Sequence, residues 1–279
     1  MPESFVNQAT ARASVDGRKL WFNCNPGGPF HWFKLDWLDD LTRHRAMHIH
    51  FMMDDNPSLS DAKKESYRRQ YKGVFYERYI LGKWVLDDGV IYSNFDEKTM
   101  VVDPPSNITK YYVSCDYGTK NPTVFLLWGF SNGTWYALKE YYYDGRHSTA
   151  QKTDNQYADD LDRFLGNIKC SIIVDPSAAS FITLLRRRGH TVIKADNDVL
   201  DGIRETQTAM NLGEIKFTRN CKNLFKEFSS YIWDAKAAER GEDKPLKQHD
   251  HGCDATRYFV YKVVRKPSQQ AGIQMMTHL

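Results

Sequence analysis

The sequence predicts an α/β fold: a mixed central sheet with helices on both faces, preceded by a segment of different character. Three observations carry this. From residue 111 three strand-like runs follow one another with turn residues between them, from residue 149 helical and strand-like runs alternate, and a final helix closes the order. Before residue 86 apolar runs are few and the regular pattern is missing.

YYVSCDYG (111–118), TVFLLWGF (123–130) and TWYALKEYYY (134–143) are rich in aromatic and β-branched residues. Lys-Asn-Pro and Ser-Asn-Gly separate them, which suits an antiparallel meander. TAQKTDNQYADDLDRFL (149–165) has helical spacing, and SIIVDP (171–176) is a short apolar run suited to a buried parallel strand. AASFITLLRRRG (178–189) reads as a helix stopped by Gly189, HTVIKAD (190–196) as a strand, and VLDGIRETQTAMNLG (199–213) as a helix ending in Gly213. EIKFT (214–218) is a short edge strand. CKNLFKEFSSYI (221–232) puts Leu224, Phe225, Phe228 and Ile232 on one helical face. A charged excursion, KAAERGEDKPLKQ (236–248), reads as a hairpin or loop with Arg240 and Gly241 at its tip, before the closing helix CDATRYFVYKVV (253–264).

A meander, then alternating helices and strands, then a closing helix is the order of the RNase H-like fold. Strand order 3-2-1-4-5 would set the strand ending at Asp116 beside, and parallel to, the strand ending at Asp175. Residues 111–279 are therefore expected to form this domain. The acidic, proline-containing stretch 86–110 reads as a linker. Residues 1–85, with KLWFNC (19–24), NPGGP (25–29), MHIHFMM (47–53) and a charged helix DAKKESYRRQY (61–71) capped by Ser60, are too little for a complete α/β domain and read as the end of one.

A chain of 279 residues with 41% hydrophobic and 26% charged residues is ordinary globular composition, which excludes the disordered class. The N-terminus has no apolar signal core, and no stretch nears the roughly 20 apolar residues that span a bilayer, so no membrane partner and a cytoplasmic location are expected. Five scattered cysteines without a C-x-x-C pair argue against a disulfide framework. Net charge is +3, with 14 Lys+Arg against 15 Asp+Glu in residues 1–105 and 24 against 20 in the remainder. That surplus is compatible with a polyanionic partner but does not require one.

Asp116 and Asp175 each follow an apolar strand, and desolvating an unpaired carboxylate costs several kcal/mol. Alone, Asp175 reads equally as the N-cap of the next helix with Pro176 at its first position, and Asp116 as a turn aspartate. As a pair on adjacent strands they would meet at the sheet edge where α/β ligands bind. QHDHGCDATRY (248–258) adds Asp254 in the first turn of the closing helix. Three hard oxygen donors without paired thiolates select Mg²⁺ or Mn²⁺ over zinc, and Cys253 has no cysteine partner at zinc spacing. Two such ions about 4 Å apart would serve an in-line phosphodiester displacement. His251, three residues before Asp254, could join as a neutral ligand or a general acid or base, and Asp250 could support it; otherwise both belong to a solvated lead-in to the helix.

VSCDYG, IIVDPSAAS and HDHGCDATRYFVY resemble, in order and surroundings, the acidic motifs of the nuclease domain of the tailed-bacteriophage large terminase, which cuts and packages viral DNA. WFNCNPGGPFHWFK, HFMMDDNPSLS and YKGVFYERYILGKWVLDDGVIYSNF resemble the end of that family's ATPase domain and the start of its nuclease. The resemblance implies that Asp116, Asp175 and Asp254 are metal-binding catalytic acids, with His251 nearby, in an endonuclease for double-stranded DNA. It also implies a terminase small subunit and a portal protein as partners, in the host cytoplasm. The chain departs from the family in having no G-x-x-x-x-G-K-[ST] loop, since Gly82-Lys83 is followed by Trp84, so ATP hydrolysis by this chain alone is not expected.

For DNA contact the sequence offers Arg187, in the run Arg186-Arg187-Arg188, and Lys236, Arg240, Lys244 and Lys247 of the excursion, the alternative for each being solvent. Two other readings stay open: a junction resolvase or transposase of the same fold, and a non-catalytic docking module of the packaging motor.

Overall fold

The computed structural model of the chain describes residues 3–85, 89–118, 121–145 and 151–265. The polar tail and residues 149–150 of the expected helix lie outside them. The chain divides into two compact units, residues 1–88 with 233–244, and residues 89–232 with 245–279.

The second unit holds one six-stranded sheet. Its strands are β1 (Lys110–Asp116), β2 (Thr123–Ser131), β3 (Thr134–Tyr143), β4 (Ser171–Val174), β5 (Thr191–Lys194) and β6 (Ile215–Phe217), in the order β5-β4-β1-β2-β3-β6. The expected order 3-2-1-4-5 is present, with β6 added beside β3 in parallel. β1, β2 and β3 form the antiparallel meander, and Asn132 and Gly133 at its second turn both have positive φ, 47° and 83°, as a tight two-residue turn requires.

Side chains alternate across β1 and thereby build two different faces. Val113 and Cys115 join Phe125, Ile172 and Val174 in a core closed by the helices Asp154–Leu165 and Ala179–Arg187. Tyr112, Ser114 and Asp116 fall on the opposite face. There Trp128 donates to Ser114 Oγ at 2.9 Å and stacks on Phe259 of the closing helix with ring centroids 4.1 Å apart. That helix runs His251–Phe259 and continues as a wider turn over Val260–Arg265.

The expected linker at 86–110 is not one, so far as residues 89–110 are concerned. Ile91 and Tyr92 are buried, Phe95 packs on Phe217, Phe225 and Phe228, and Val90 and Val101 form bridges to Ile232 and Phe217. Asn94 also donates to Gln207 O at 3.1 Å and Asn211 Oδ1 at 2.8 Å. Burial of apolar side chains at about 1.5–3 kcal/mol each outweighs the stretch's polar composition.

In the first unit the charged helix is Asp61–Gln70, and Ser60 Oγ accepts from Lys63 N at 3.3 Å as its cap. The excursion at 236–248 divides between the units. Up to Lys244 it belongs to the first, where Asp234 caps a short helix, Ala235–Glu239, and Asp243 accepts two bonds from buried Arg78 at 2.7 and 3.0 Å. Gly241 is at φ +75° with Phe30 O only 2.3 Å from where a Cβ would stand. Gly241→Ala should therefore destabilise this unit by about 2 kcal/mol or more, measured as faster limited proteolysis within residues 1–88.

Candidate active site

β1 and β4 pair in parallel with Ser114 opposite Ile173 and Cys115 opposite Val174. One position beyond that last pair come Asp116 and Asp175, at the same end of two neighbouring strands and on the face that the closing helix covers, where His251 reaches Asp116 and Tyr258 reaches Asp175. On that helix His251, Asp254 and Tyr258 are spaced i, i+3, i+7 and so share one face. Functional groups from three distant segments are thus brought to one edge.

His251 Nδ1 lies 2.8 Å from Asp116 Oδ2. Burial pushes Asp116 up, the hydrogen bond from His251 pulls it down, and the charge of Asp254 pushes it up again, leaving it raised from 3.8 to about 6. Burial lowers His251, but the bond and charge of Asp116 outweigh it, and its pKa is raised. The imidazole is thus held near the carboxylate in a form ready to carry a proton.

Asp254 is raised by burial first, an effect opposed by Arg257 and reinforced by Asp250. Arg257 Nε and Nη2 both donate to Asp254 Oδ1, at 3.2 and 3.0 Å. The arginine reaches this position because Gly202 has no side chain, where a Cβ would meet Arg257 Cγ at 2.5 Å. Asp175 is desolvated too, but hydrogen bonds from Ser177 and Tyr258 outweigh this and lower its pKa. Ser177 N donates to Oδ1 at 2.7 Å and the Tyr258 hydroxyl to Oδ2 at 2.8 Å. The N-cap of the helix Ala179–Arg187 is Ala178, so Asp175 is not its cap.

Asp250 is the N-cap residue of the closing helix, but its side chain makes no capping bond. Cys253 is buried, and burial pushes its thiol well above the ordinary range, an environment opposite to that of a metal-binding thiolate.

Asp116, Asp254 and Asp175 offer only oxygen donors, the chemistry a hard divalent cation prefers, and the first two, largely but not fully covered, have raised pKa values. The side chains are not arranged as a closed cage, and among the described residues no group of three or more His, Cys, Asp or Glu stands ready to hold a metal. Each acid is instead held by a named partner: Asp116 by His251, Asp254 by Arg257, and Asp175 by Tyr258 and Ser177.

The cations expected to meet DNA are dispersed. Arg188 is paired with Asp159 and Asp162, and Arg186 donates to Val192 O, while Arg187 is exposed. Lys236, Arg240 and Lys244 lie in the first unit, where Lys244 pairs with Glu242. Lys247 is exposed in the second unit, and its charge acts on Asp254.

Three residues escaped the sequence reading. Arg257 and Tyr258 fall inside the closing helix, where the sequence singled out neither of them. Glu227, inside CKNLFKEFSSYI, is buried and is raised by burial to about 7 despite bonds from Tyr142 and Gly252. A glutamate three positions after Leu224, on the apolar face, was the one available signal.

Residues 141–262 match a family model described as a terminase RNaseH-like domain. The chain is similar to the large terminase of a thermophilic bacteriophage solved with ADP, with 61% identity and a TM-score of 0.92 over 95% of this chain and 67% of that one. The same phage protein solved with ATP-gamma-S gives the same identity and TM-score and is covered over 68% of its length. The nuclease domain of the P22 large terminase shares the fold, at 21% identity and a TM-score of 0.51 over 63% of this chain and 93% of that one. None of the curated proteins compared with the chain matches it.

Proposed function

Because the chain belongs to the phage large-terminase family and carries its RNase H-like nuclease region, we propose that it is a divalent-metal-dependent endonuclease cutting double-stranded viral DNA during genome packaging. The observation that supports this most is the meeting of Asp116, Asp175 and the His251–Asp254 turn at one sheet edge, two of the acids with raised pKa values.

In this reading Asp116, Asp254 and Asp175 would hold Mg²⁺ or Mn²⁺, two ions when fully loaded. Bound there, the metal supplies charge for the attacking and leaving oxygens of a phosphodiester. The protein's own groups prepare that reaction. His251 keeps Asp116 oriented and holds a proton at its ring nitrogen. Arg257 restrains Asp254 through Oδ1 alone, and Tyr258 sets the direction of Asp175. Asp250, 3.9 Å from His251 Nε2, supports the imidazole charge. Lys247 and Arg187 are the proposed phosphate contacts of this unit; Lys236, Arg240 and Lys244 would serve only DNA reaching the first unit.

The proposed partners are double-stranded DNA, the terminase small subunit and the portal protein. No helix among the described residues is long and apolar enough to cross a membrane, and the proposed setting is the host cytoplasm. The 279 residues contain no phosphate-binding loop of the G-x-x-x-x-G-K-[ST] type, so we assign ATP turnover to other segments of the packaging motor.

The test is conversion of supercoiled plasmid to nicked and linear forms with Mn²⁺ or Mg²⁺. Activity should disappear with EDTA and return on adding excess metal. Cleavage that persists in EDTA would refute the proposal.

A further inference from the structure

The closing helix begins in an unusual way. Asp250 occupies its N-cap but makes no capping bond, and the preceding His249 has a positive φ of 52°. The first-turn amides are instead bound by a side chain from another helix. Glu227, on the helix Lys222–Ser230, accepts through Oε2 from Gly252 N at 2.5 Å and from Cys253 N at 3.2 Å. Its Oε1 accepts from the Tyr142 hydroxyl at 2.9 Å, which ties the same carboxylate to β3. The approach needs a glycine at 252, where a Cβ would lie 2.9 Å from Glu227 Oε2 and 3.0 Å from Leu224 Cδ1.

The two amides so held belong to the residues between His251 and Asp254. A buried carboxyl group that accepts from two first-turn amides satisfies donors that the helix itself leaves without partners, and moving it away would leave them buried and unpaired. It therefore pins the backbone at the point from which both side chains depart. A drift of an ångström there would carry His251 away from Asp116 Oδ2 and Asp254 away from the strand edge, a displacement that costs rate far more than binding.

We propose that Glu227 is a positioning residue for phosphodiester cleavage, acting through the Gly252 and Cys253 amides to set His251 and Asp254 against Asp116. This rests on the nuclease reading above.

The full chain is tested as wild type, Glu227→Ala, Glu227→Gln and Tyr142→Phe, with hydrogen exchange at the closing helix measured beside kcat and KM for plasmid nicking. Glu227→Ala should speed exchange at the Gly252 and Cys253 amides about tenfold and lower kcat about 10- to 100-fold, with KM for DNA changed less than about threefold. Glu227→Gln keeps an oxygen acceptor and should recover kcat to within about threefold of wild type. If Glu227→Ala does not fold, Tyr142→Phe decides: kcat should fall while KM holds, and an unchanged kcat overturns the proposal. Faster exchange with unchanged kcat in Glu227→Ala would reduce Glu227 to a structural cap, and unchanged exchange would show that it does not hold the helix. A wild-type chain inactive with every divalent metal would sink the nuclease reading itself, whereas an active wild type with an equally active Glu227→Ala sinks only this inference.

Discussion

Asp116→Asn should abolish metal-dependent cleavage, by about 10³-fold or more, while raising the melting temperature. The loss follows from removing the carboxylate that both binds His251 and faces Asp254. The stabilisation follows from its raised pKa. In the folded chain the group titrates near 6 rather than 3.8, so the native state holds its proton more tightly than the unfolded chain does. Stability from this group is therefore highest below about pH 4 and falls as pH rises through about 6. At neutral pH the ionised side chain costs the fold up to about 3 kcal/mol, with the His251 bond already included in the shift from 3.8 to about 6. A neutral isostere removes that cost, and a gain of about 1–2 kcal/mol, or several degrees in melting temperature, is expected. A variant that loses activity and stability together would instead mean that Asp116 holds the fold.

Asp254→Ala should be equally inactive but less stable. Its partner Arg257 is almost wholly buried, with both short bonds falling on Asp254 Oδ1 and only a longer one, 3.4 Å, to Asp198 O. Removing the aspartate strands a guanidinium that has no route to water, at a cost of about 3–5 kcal/mol. The double change Asp254→Ala with Arg257→Met removes both charges and keeps the volume beside Gly202. It should recover most of the melting temperature and none of the cleavage. Chemical denaturation of the three chains alongside plasmid nicking reads both quantities, and a stable single variant would show that Arg257 does not depend on Asp254.

The parts legible in sequence were those governed by local periodicity and turn chemistry. β1 and β4 end in aspartate after apolar runs, the Ser-Asn-Gly turn dictates the β2–β3 hairpin, and the step from His251 to Asp254 is one helical turn; these suffice for the strand order and for bringing His251 to the edge that carries Asp116. What stayed hidden depends on distant partners. Asp243 looks like one more charge in an exposed loop until Arg78, 165 residues away, closes on it. The acidic, proline-bearing composition of 86–110 masks Ile91 and Tyr92, whose burial only the tertiary fold reveals. Arg257 and Tyr258 sit where helical spacing calls for core residues, and they are core residues; their polar ends find Asp254 and Asp175 only because the helix lies across the tips of β1 and β4. Three acids can be read from the chain itself, and the fold adds the partner that holds each of them.

The most direct measurement is anomalous scattering from a crystal of the chain soaked in Mn²⁺. At least one peak is expected within coordination distance, about 2.2 Å, of carboxylate oxygens of both Asp116 and Asp254, with Asp175 turned toward it from Tyr258. Manganese absent from this edge at saturating concentration, or bound elsewhere while Asp254 stays on Arg257, would contradict this expectation.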